Sequence, residues 1–189
     1  KVHIPLSVED SLKHTQVANG LDISLFASEE LGLYSVIEID WDERGRAWVI
    51  ETRDYPNELK PAELGKDRIR ILEDTDGDGK ADKAILFADK LSIPTGMCFA
   101  RGGLIVQMAP HFLFLKDTDG DDKADVREIL FSGWSTGDTH AGPSNLKYGF
   151  DNWIWGVMGY AGFNGKVGEK QHRFGQGVYR FKPDGSELE

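Results

Sequence analysis

Apolar residues in this chain fall in short runs set between clusters of Gly, Asp, Asn and Pro, and helical periodicity is nearly absent. Runs of that length, bounded by turn residues, predict strands. Four fall close together: Gly96–Ala100, Leu104–Met108, Phe112–Lys116 and Arg127–Phe131. The preceding stretch supplies Val36–Trp41, Ala47–Glu51, Arg68–Glu73 and Ala84–Phe87, with a longer loop from Thr52 to Asp67 carrying Pro56 and Pro61. A third stretch supplies Ser144–Tyr148, Ile154–Met158 and Gly177–Phe181, then a turn at Lys182-Pro183-Asp184-Gly185, with a fourth strand due at Glu189. Asp22–Ala27 reads as one further strand. The single helix signal is Ser7-Val8-Glu9-Asp10, a Ser cap with an acid three residues on, predicting a helix to about Thr15.

An internal repeat organises these strands. Asp74-Thr75-Asp76-Gly77-Asp78-Gly79-Lys80-Ala81-Asp82 returns 43 residues later as Asp117-Thr118-Asp119-Gly120-Asp121-Asp122-Lys123-Ala124-Asp125. Leu86-Phe87 and Leu130-Phe131 follow the two copies. A period of about 40–45 residues made of four short strands is a propeller-blade period. The expected fold class is therefore all-β, a partial β-propeller of about three four-stranded blades, with a short N-terminal helix. The expected division is 1–21 for the N-terminal segment and 22–189 for the propeller part. Its blades would span about 35–90, 91–134 and 140–189, with 22–27 as the outer strand of a missing blade. Closure takes at least four blades, so the remaining blades would come from elsewhere in the protein or from another chain. The alternative is a self-contained stack of three twisted sheets.

Composition narrows the function. The 22 Lys and Arg against 32 Asp and Glu give a net charge of −10, which argues against nucleic acid and anionic membrane surfaces. No apolar run approaches the roughly 18 residues of a spanning helix. One cysteine, Cys98, excludes an internal disulfide and any multi-cysteine metal site. A chain opening at Lys1 without Met or a leader is expected to be a mature or excised product. The 22 Gly beside 5 Trp, 5 Tyr and 10 Phe fit many strands joined by tight turns.

The repeated acidic loops offer carboxylates at positions 1, 3 and 5, a carbonyl at 7 and an acid at 9, the hard oxygen set that Ca²⁺ prefers. In the first copy these are Asp74, Asp76, Asp78, the carbonyl of Lys80, and Asp82, with Ile85 at position 12. In the second they are Asp117, Asp119, Asp121, the carbonyl of Lys123, and Asp125, with Glu128 at position 12. Position 6 is Gly79 in one and Asp122 in the other, so each copy lacks one element of a helical calcium loop. Both lie between strands and read as calcium hairpins with a structural role. A solvated hairpin using Asp and Gly for turn chemistry is the competing reading.

Two other clusters carry candidate chemistry. Gly137-Asp138-Thr139-His140-Ala141-Gly142-Pro143-Ser144-Asn145-Leu146 holds a His two residues after an Asp on a tight loop. His140 could be a general base whose orientation Asp138 or a backbone carbonyl fixes, or simply an exposed histidine. His3, His14, His111 and His172 have no such setting. Glu51-Thr52-Arg53-Asp54-Tyr55-Pro56 ends a strand, where Arg53 could grip a planar anion or pair with Glu51 or Asp54. Trp134, Trp153, Trp155, Tyr160 and Phe163 are candidate sugar-stacking surfaces or packing residues.

Several motifs together resemble one family. They are Pro5-Leu6-Ser7 through Leu12, Leu25-Phe26-Ala27-Ser28-Glu29, Trp41–Val49, both aspartate repeats and Gly137–Leu146. The resemblance is to the planctomycete-type membrane-bound dehydrogenase domain, often fused to a haem-binding cytochrome c module. That family is similar in turn to the soluble PQQ-dependent glucose and aldose sugar dehydrogenases, which are six-bladed propellers. The wider resemblance implies a calcium-stabilised quinoprotein-like dehydrogenase that oxidises a sugar or alcohol. His140, opening a His-x-Gly segment before Asp151-Asn152-Trp153-Ile154-Trp155, would take the hydroxyl proton, with Asp138 and Arg53 beside it. Arg53, Tyr55 and Thr95 would contact the quinone, PQQ. Glu51, Arg53 and Asp67-Arg68-Ile69-Arg70 would match that family's strand-end acid and basic residues. No CxxCH motif is present for covalent haem, so a cytochrome c acceptor would be separate. The resemblance implies a periplasmic or exported setting. The alternative function is a non-catalytic calcium-binding propeller module that recognises carbohydrate or protein.

Overall fold

The computed structural model describes residues 4–56, 59–61 and 63–189. Its strands form where the apolar runs stand. The first sheet comprises β1 (Val36–Trp41), β2 (Ala47–Glu51), β3 (Asp67–Glu73) and β4 (Lys83–Leu91), in that spatial order. The second comprises β5 (Gly96–Ala100), β6 (Gly103–Met108), β7 (His111–Lys116) and β8 (Val126–Ser132), again in chain order. Every pairing is antiparallel. The chain is thus mostly β, in several antiparallel sheets, and no closed barrel forms among the described residues.

The third sheet departs from this plan. Its order is β13–β10–β9, from β9 (Pro143–Tyr148), β10 (Ile154–Met158) and β13 (Gly177–Phe181). Between β10 and β13 the chain makes a separate hairpin, β11 (Phe163–Val167) with β12 (Lys170–Phe174), which the apolar pattern did not predict. Beyond the three strands, β13 carries one isolated bridge where the fourth was expected: Leu188 bridges Phe181, and Arg180 and Glu189 exchange both backbone hydrogen bonds at 2.9 Å.

Packing explains why β2 is buried at every residue. Its even face, Trp48 and Ile50, joins Ile69, Ile71 and Phe87 against Met97, Leu104, Val106 and Leu113 of the second sheet. Its odd face, Ala47 and Val49, joins Leu72 and Ala81 under Phe26, Ala27, Leu31 and Leu33 of the N-terminal segment. The second sheet's far face, with Ile105, Phe112, Phe114 and Phe131, packs on Trp134, Leu146, Ile154, Phe163, Tyr179 and Phe181. A sheet covered on both faces reads as a near-continuous apolar run. Cys98 lies in this core, where burial pushes its thiol up to about 11, so it stays protonated at neutral pH.

The predicted helix is present as α1 (Val8–His14), capped by the Ser7 hydroxyl accepting from the Asp10 N–H at 3.1 Å. The predicted strand over Asp22–Ala27 is not; those residues join no ladder. The Phe26 carbonyl instead accepts one hydrogen bond, from the Ala81 N–H at 2.7 Å. In the second sheet the equivalent Ala124 N–H donates to the Phe87 carbonyl of β4 at 2.8 Å. Each acidic loop is thereby clipped to an apolar residue of the unit before it. The segment does an outer strand's job through Phe26 without strand geometry.

Candidate functional site

Antiparallel strands put alternate connections at opposite ends of the stack. At one end meet the loops 52–56, 92–95 and 133–142; Thr139 donates to the Pro56 carbonyl and Thr95 to the Pro143 carbonyl, both at 2.8 Å. At the other end lie the turn 42–46 and both acidic hairpins, where Arg46 reaches Asp122 at 2.9 Å. The histidine loop and the aspartate hairpins therefore belong to different ends of the molecule.

At the first end the His140 ring sits with Nδ1 3.3 Å from Asp138 Oδ1, and the His140 N–H donates to that same oxygen at 2.8 Å. The Tyr160 hydroxyl donates to Asp138 Oδ2. These donors, Tyr160 first and then the His140 N–H, hold the Asp138 carboxyl below its ordinary value, and the carboxylate raises Tyr160 in return. Tyr55 meets the imidazole edge-on at 5.4 Å between centroids. The ring is 62% exposed, and its second nitrogen has no hydrogen-bond partner among the described residues. An oriented, accessible imidazole beside an ionised carboxylate can accept a proton from a bound hydroxyl.

Behind this corner stands a buried acid. Asp67, fully buried, accepts from the Thr52 hydroxyl at 2.8 Å and from the N–H groups of Arg53, Asp54 and Ile93 at 2.6, 3.0 and 2.7 Å. Four donors offset the cost of burying a carboxylate that has no cation on it among the described residues. Ile93, β-branched and buried, is held at a φ of 51°, a conformation such residues seldom adopt. Ile93, Thr95, Asp138, Thr139 and Pro143 help line a cavity of about 20 Å³, room for about one water. Asp67 thus positions the loops that carry Tyr55 and support His140.

At the opposite end, oxygens of Asp74, Asp76 and Asp78 lie within 4.8 Å of one another, as do those of Asp117, Asp119 and Asp121. Ligand oxygens about 2.3–2.6 Å from one Ca²⁺ fall within such a spread. The two copies fold alike. Asp74 accepts the Gly77 and Gly79 N–H groups at 2.7 and 2.9 Å, and Asp117 accepts those of Gly120 and Asp122 at 2.7 and 2.8 Å. Those backbone donors, led by Gly79 and Gly120, keep both carboxyls below their ordinary values.

A family profile described as "Domain of unknown function (DUF7133)" matches residues 7–189. The chain belongs to the DUF7133 family. No curated protein matches it.

In this DUF7133 domain the predicted site residues divide. His140, Asp138 and Tyr55 come together, and Thr95 lies in the adjoining cavity with its hydroxyl given to Pro143. Arg53 does not join them. Its guanidinium lies 4.0 Å over the Tyr34 ring, with Lys66, Arg68 and Lys90 along the same groove. Neither does it pair with Glu51 or Asp54: buried Glu51 is held by Arg68 and Arg70 at 2.8 and 2.7 Å and by the Tyr34 N–H. Of the expected calcium ligands, Asp82 and Asp125 turn to Thr75 and Thr118 rather than joining the triplets. Glu128 lies within β8 opposite Phe114, outside the triplet. Lys80 and Lys123 sit in the hairpins, each giving its N–H to the position-5 aspartate at 2.8 and 2.9 Å. His3 lies outside the described residues, as do residues 57, 58 and 62 of the long loop.

Sequence reasoning missed Tyr160 as the partner of Asp138, since 22 residues separate them. It also missed what Asp122 does. That residue takes the left-handed φ of 64° where Gly79 has 87°, and its carboxylate accepts from Arg46. Arg46 bonds Asp42 at 2.8 Å as well, and the Trp48 indole N–H donates to Asp42 at 3.0 Å. Burial would raise Asp42, but the Trp48 and Arg46 hydrogen bonds outweigh it and lower the carboxyl. Of the aromatics, Trp134, Trp153 and Phe163 are core residues, while Tyr160 stands 70% exposed.

Proposed function

We propose that this chain supplies three consecutive blades of a larger β-propeller, clamped by calcium at one end. At the other end His140 acts as general base on the hydroxyl of a sugar or alcohol in a dehydrogenase. Two sheets of four strands in chain order, and a third with an isolated bridge on β13 where its fourth strand was expected, favour blades. The first strands β1, β5 and β9 also lie side by side, as inner strands around an axis would. The calcium assignment draws on the two like-folded carboxylate triplets, Asp74, Asp76 and Asp78 and Asp117, Asp119 and Asp121. These residues would hold the ion and fix the turn without entering the chemistry.

The observation that carries the catalytic reading is the His140–Asp138 pair, anchored by Tyr160 and open to solvent. PQQ is a separate matter. A polycarboxylate quinone needs cations, and Arg53 points to Tyr34 instead of His140. The described residues do not assemble a quinone site at this corner, so no step is assigned to that group. The hydride would need a two-electron, quinone-type acceptor held elsewhere in the protein, which a separate cytochrome c could then reoxidise one electron at a time. Arg53's position also favours a second reading, a calcium-bound propeller module that recognises carbohydrate without oxidising it. The resemblance favours a periplasmic or exported setting for either form.

The deciding experiment is dye-linked oxidation of sugars and alcohols by the longest natural form, with calcium and PQQ supplied, beside its His140→Ala variant. General-base catalysis contributes about 10²–10⁴-fold, so the variant should lose at least a hundredfold in kcat with its Tm unchanged. Equal turnover by the two proteins would remove His140 from the reaction. No turnover by either, with sugar binding retained, would leave the recognition module.

A further inference from the structure

The β11–β12 hairpin has no counterpart in the first two sheets, and it builds a groove beside the His140 corner. Its base is fixed against the loop after β8. Trp134 bridges Phe163, the Asn164 N–H donates to the Gly133 carbonyl at 2.8 Å, and the Ser135 N–H donates to the Gly162 carbonyl at 3.0 Å. A Cβ on Gly165 would stand 2.1 Å from the Ser132 carbonyl oxygen, so only glycine permits this approach. Phe163 and Phe174 stack beneath at 5.3 Å.

The resulting groove, about 680 Å³, is lined by Ser135, Tyr160, Asn164, Arg173 and Phe174 with glycine backbone between them. That volume lies within the range of small-molecule sites. One wall is Tyr160, whose hydroxyl meets Asp138, so the groove runs up to the His140 corner. Its polar lining is hydroxyl, amide and backbone apart from one charge, and Ala161, Phe163 and Phe174 supply apolar surface beside it. Arg173 is the single charged side chain on it and has no ion-pair partner among the described residues, in a chain of net charge −10. Exposed Tyr160 adds an amphipathic ring face to the groove.

We propose that this groove binds a sugar acid, its carboxylate on Arg173 and its hydroxyls toward Tyr160. It rests on the reading of His140 as a base only in naming which hydroxyl end would react. A guanidinium grips a carboxylate through two parallel N–H donors, and polar lining groups suit hydroxyls.

Calorimetric titration of glucuronate, galacturonate and gluconate into the calcium-loaded chain, against glucose, tests this directly. At least one acid should bind tenfold or more tighter than glucose. Arg173→Gln, a change at an exposed side chain, should remove that advantage while leaving glucose binding as it was. His140→Ala should keep the binding, so failure of turnover and failure of binding are read separately. Sugar acids that bind no tighter than glucose, or equally well to Arg173→Gln, would overturn the proposal.

Discussion

Asp122 shows how one residue can answer two demands. Its backbone takes the left-handed conformation that glycine fills in the first hairpin, while its carboxylate reaches across to Arg46. Arg46 and Asp42 are each about 6% exposed on their side chains, so removing the guanidinium takes the cation from a buried pair, Asp42 keeping the Trp48 indole and the Arg44 and Arg46 N–H donors. Arg46→Ala should therefore lower stability by about 1.5–3 kcal/mol, read as a drop in the urea midpoint. Asp122→Gly should cost less, because glycine relieves the φ while losing the bond. The histidine loop makes a pH prediction. The Asp138 carboxyl is depressed in the folded protein by Tyr160 and the His140 N–H. Its stabilising bonds are then complete above the ordinary value of 3.8 and fail as pH falls through the lowered one. Carbon NMR of the Asp138 carboxyl should find it ionised from pH 7 to about 5 and titrating with a midpoint below 3.8, the Tyr160 contact failing with it. A change already complete near pH 6 would contradict it.

Strand positions were legible because their burial follows local sequence. Ile69, Ile71, Leu104, Val106, Leu113 and Leu115 are apolar in the alternation a buried sheet requires, and all lie in one core. The β11–β12 hairpin was not legible, since Asn164, Lys166, Gln171 and Arg173 face out and leave few apolar anchors. Its register depends on Gly165 meeting Ser132 and Gly133, a contact made only in the folded chain. Asp22–Ala27 misled for the opposite reason: Leu25-Phe26-Ala27 matches Leu86-Phe87-Ala88 letter for letter, and the two share a clip to the next acidic loop but not a ladder. Arg53 could not be placed from its neighbours because Tyr34 lies before β1. Gly165→Ala should displace the hairpin, costing about 1–3 kcal/mol by overpacking. Proton spectra would show shifts at Trp134 and Phe163 with the first sheet unchanged; shifts spread through the first sheet would contradict a local role.

Across the whole molecule the two ends divide the labour. The histidine end presents a polar, accessible corner, braced from behind by Asp67 and Ile93. The aspartate end fastens each sheet to what precedes it, through Ala81 on Phe26 and Ala124 on Phe87. An ion that fixes a hairpin therefore also fixes the seam between sheets. Calcium at about 100 times its Kd should add roughly 2.7 kcal/mol per site, or about 5–10 °C in Tm for a chain of this size. Calcium titration of the chelator-stripped chain, followed by heat and by Tm, tests this clamp most directly. Two ions per chain are expected, one after Asp119→Asn with Asp121→Asn, and a rise in Tm with each. No binding heat and a Tm indifferent to chelator would show that the hairpins hold themselves and that calcium has no part in the fold.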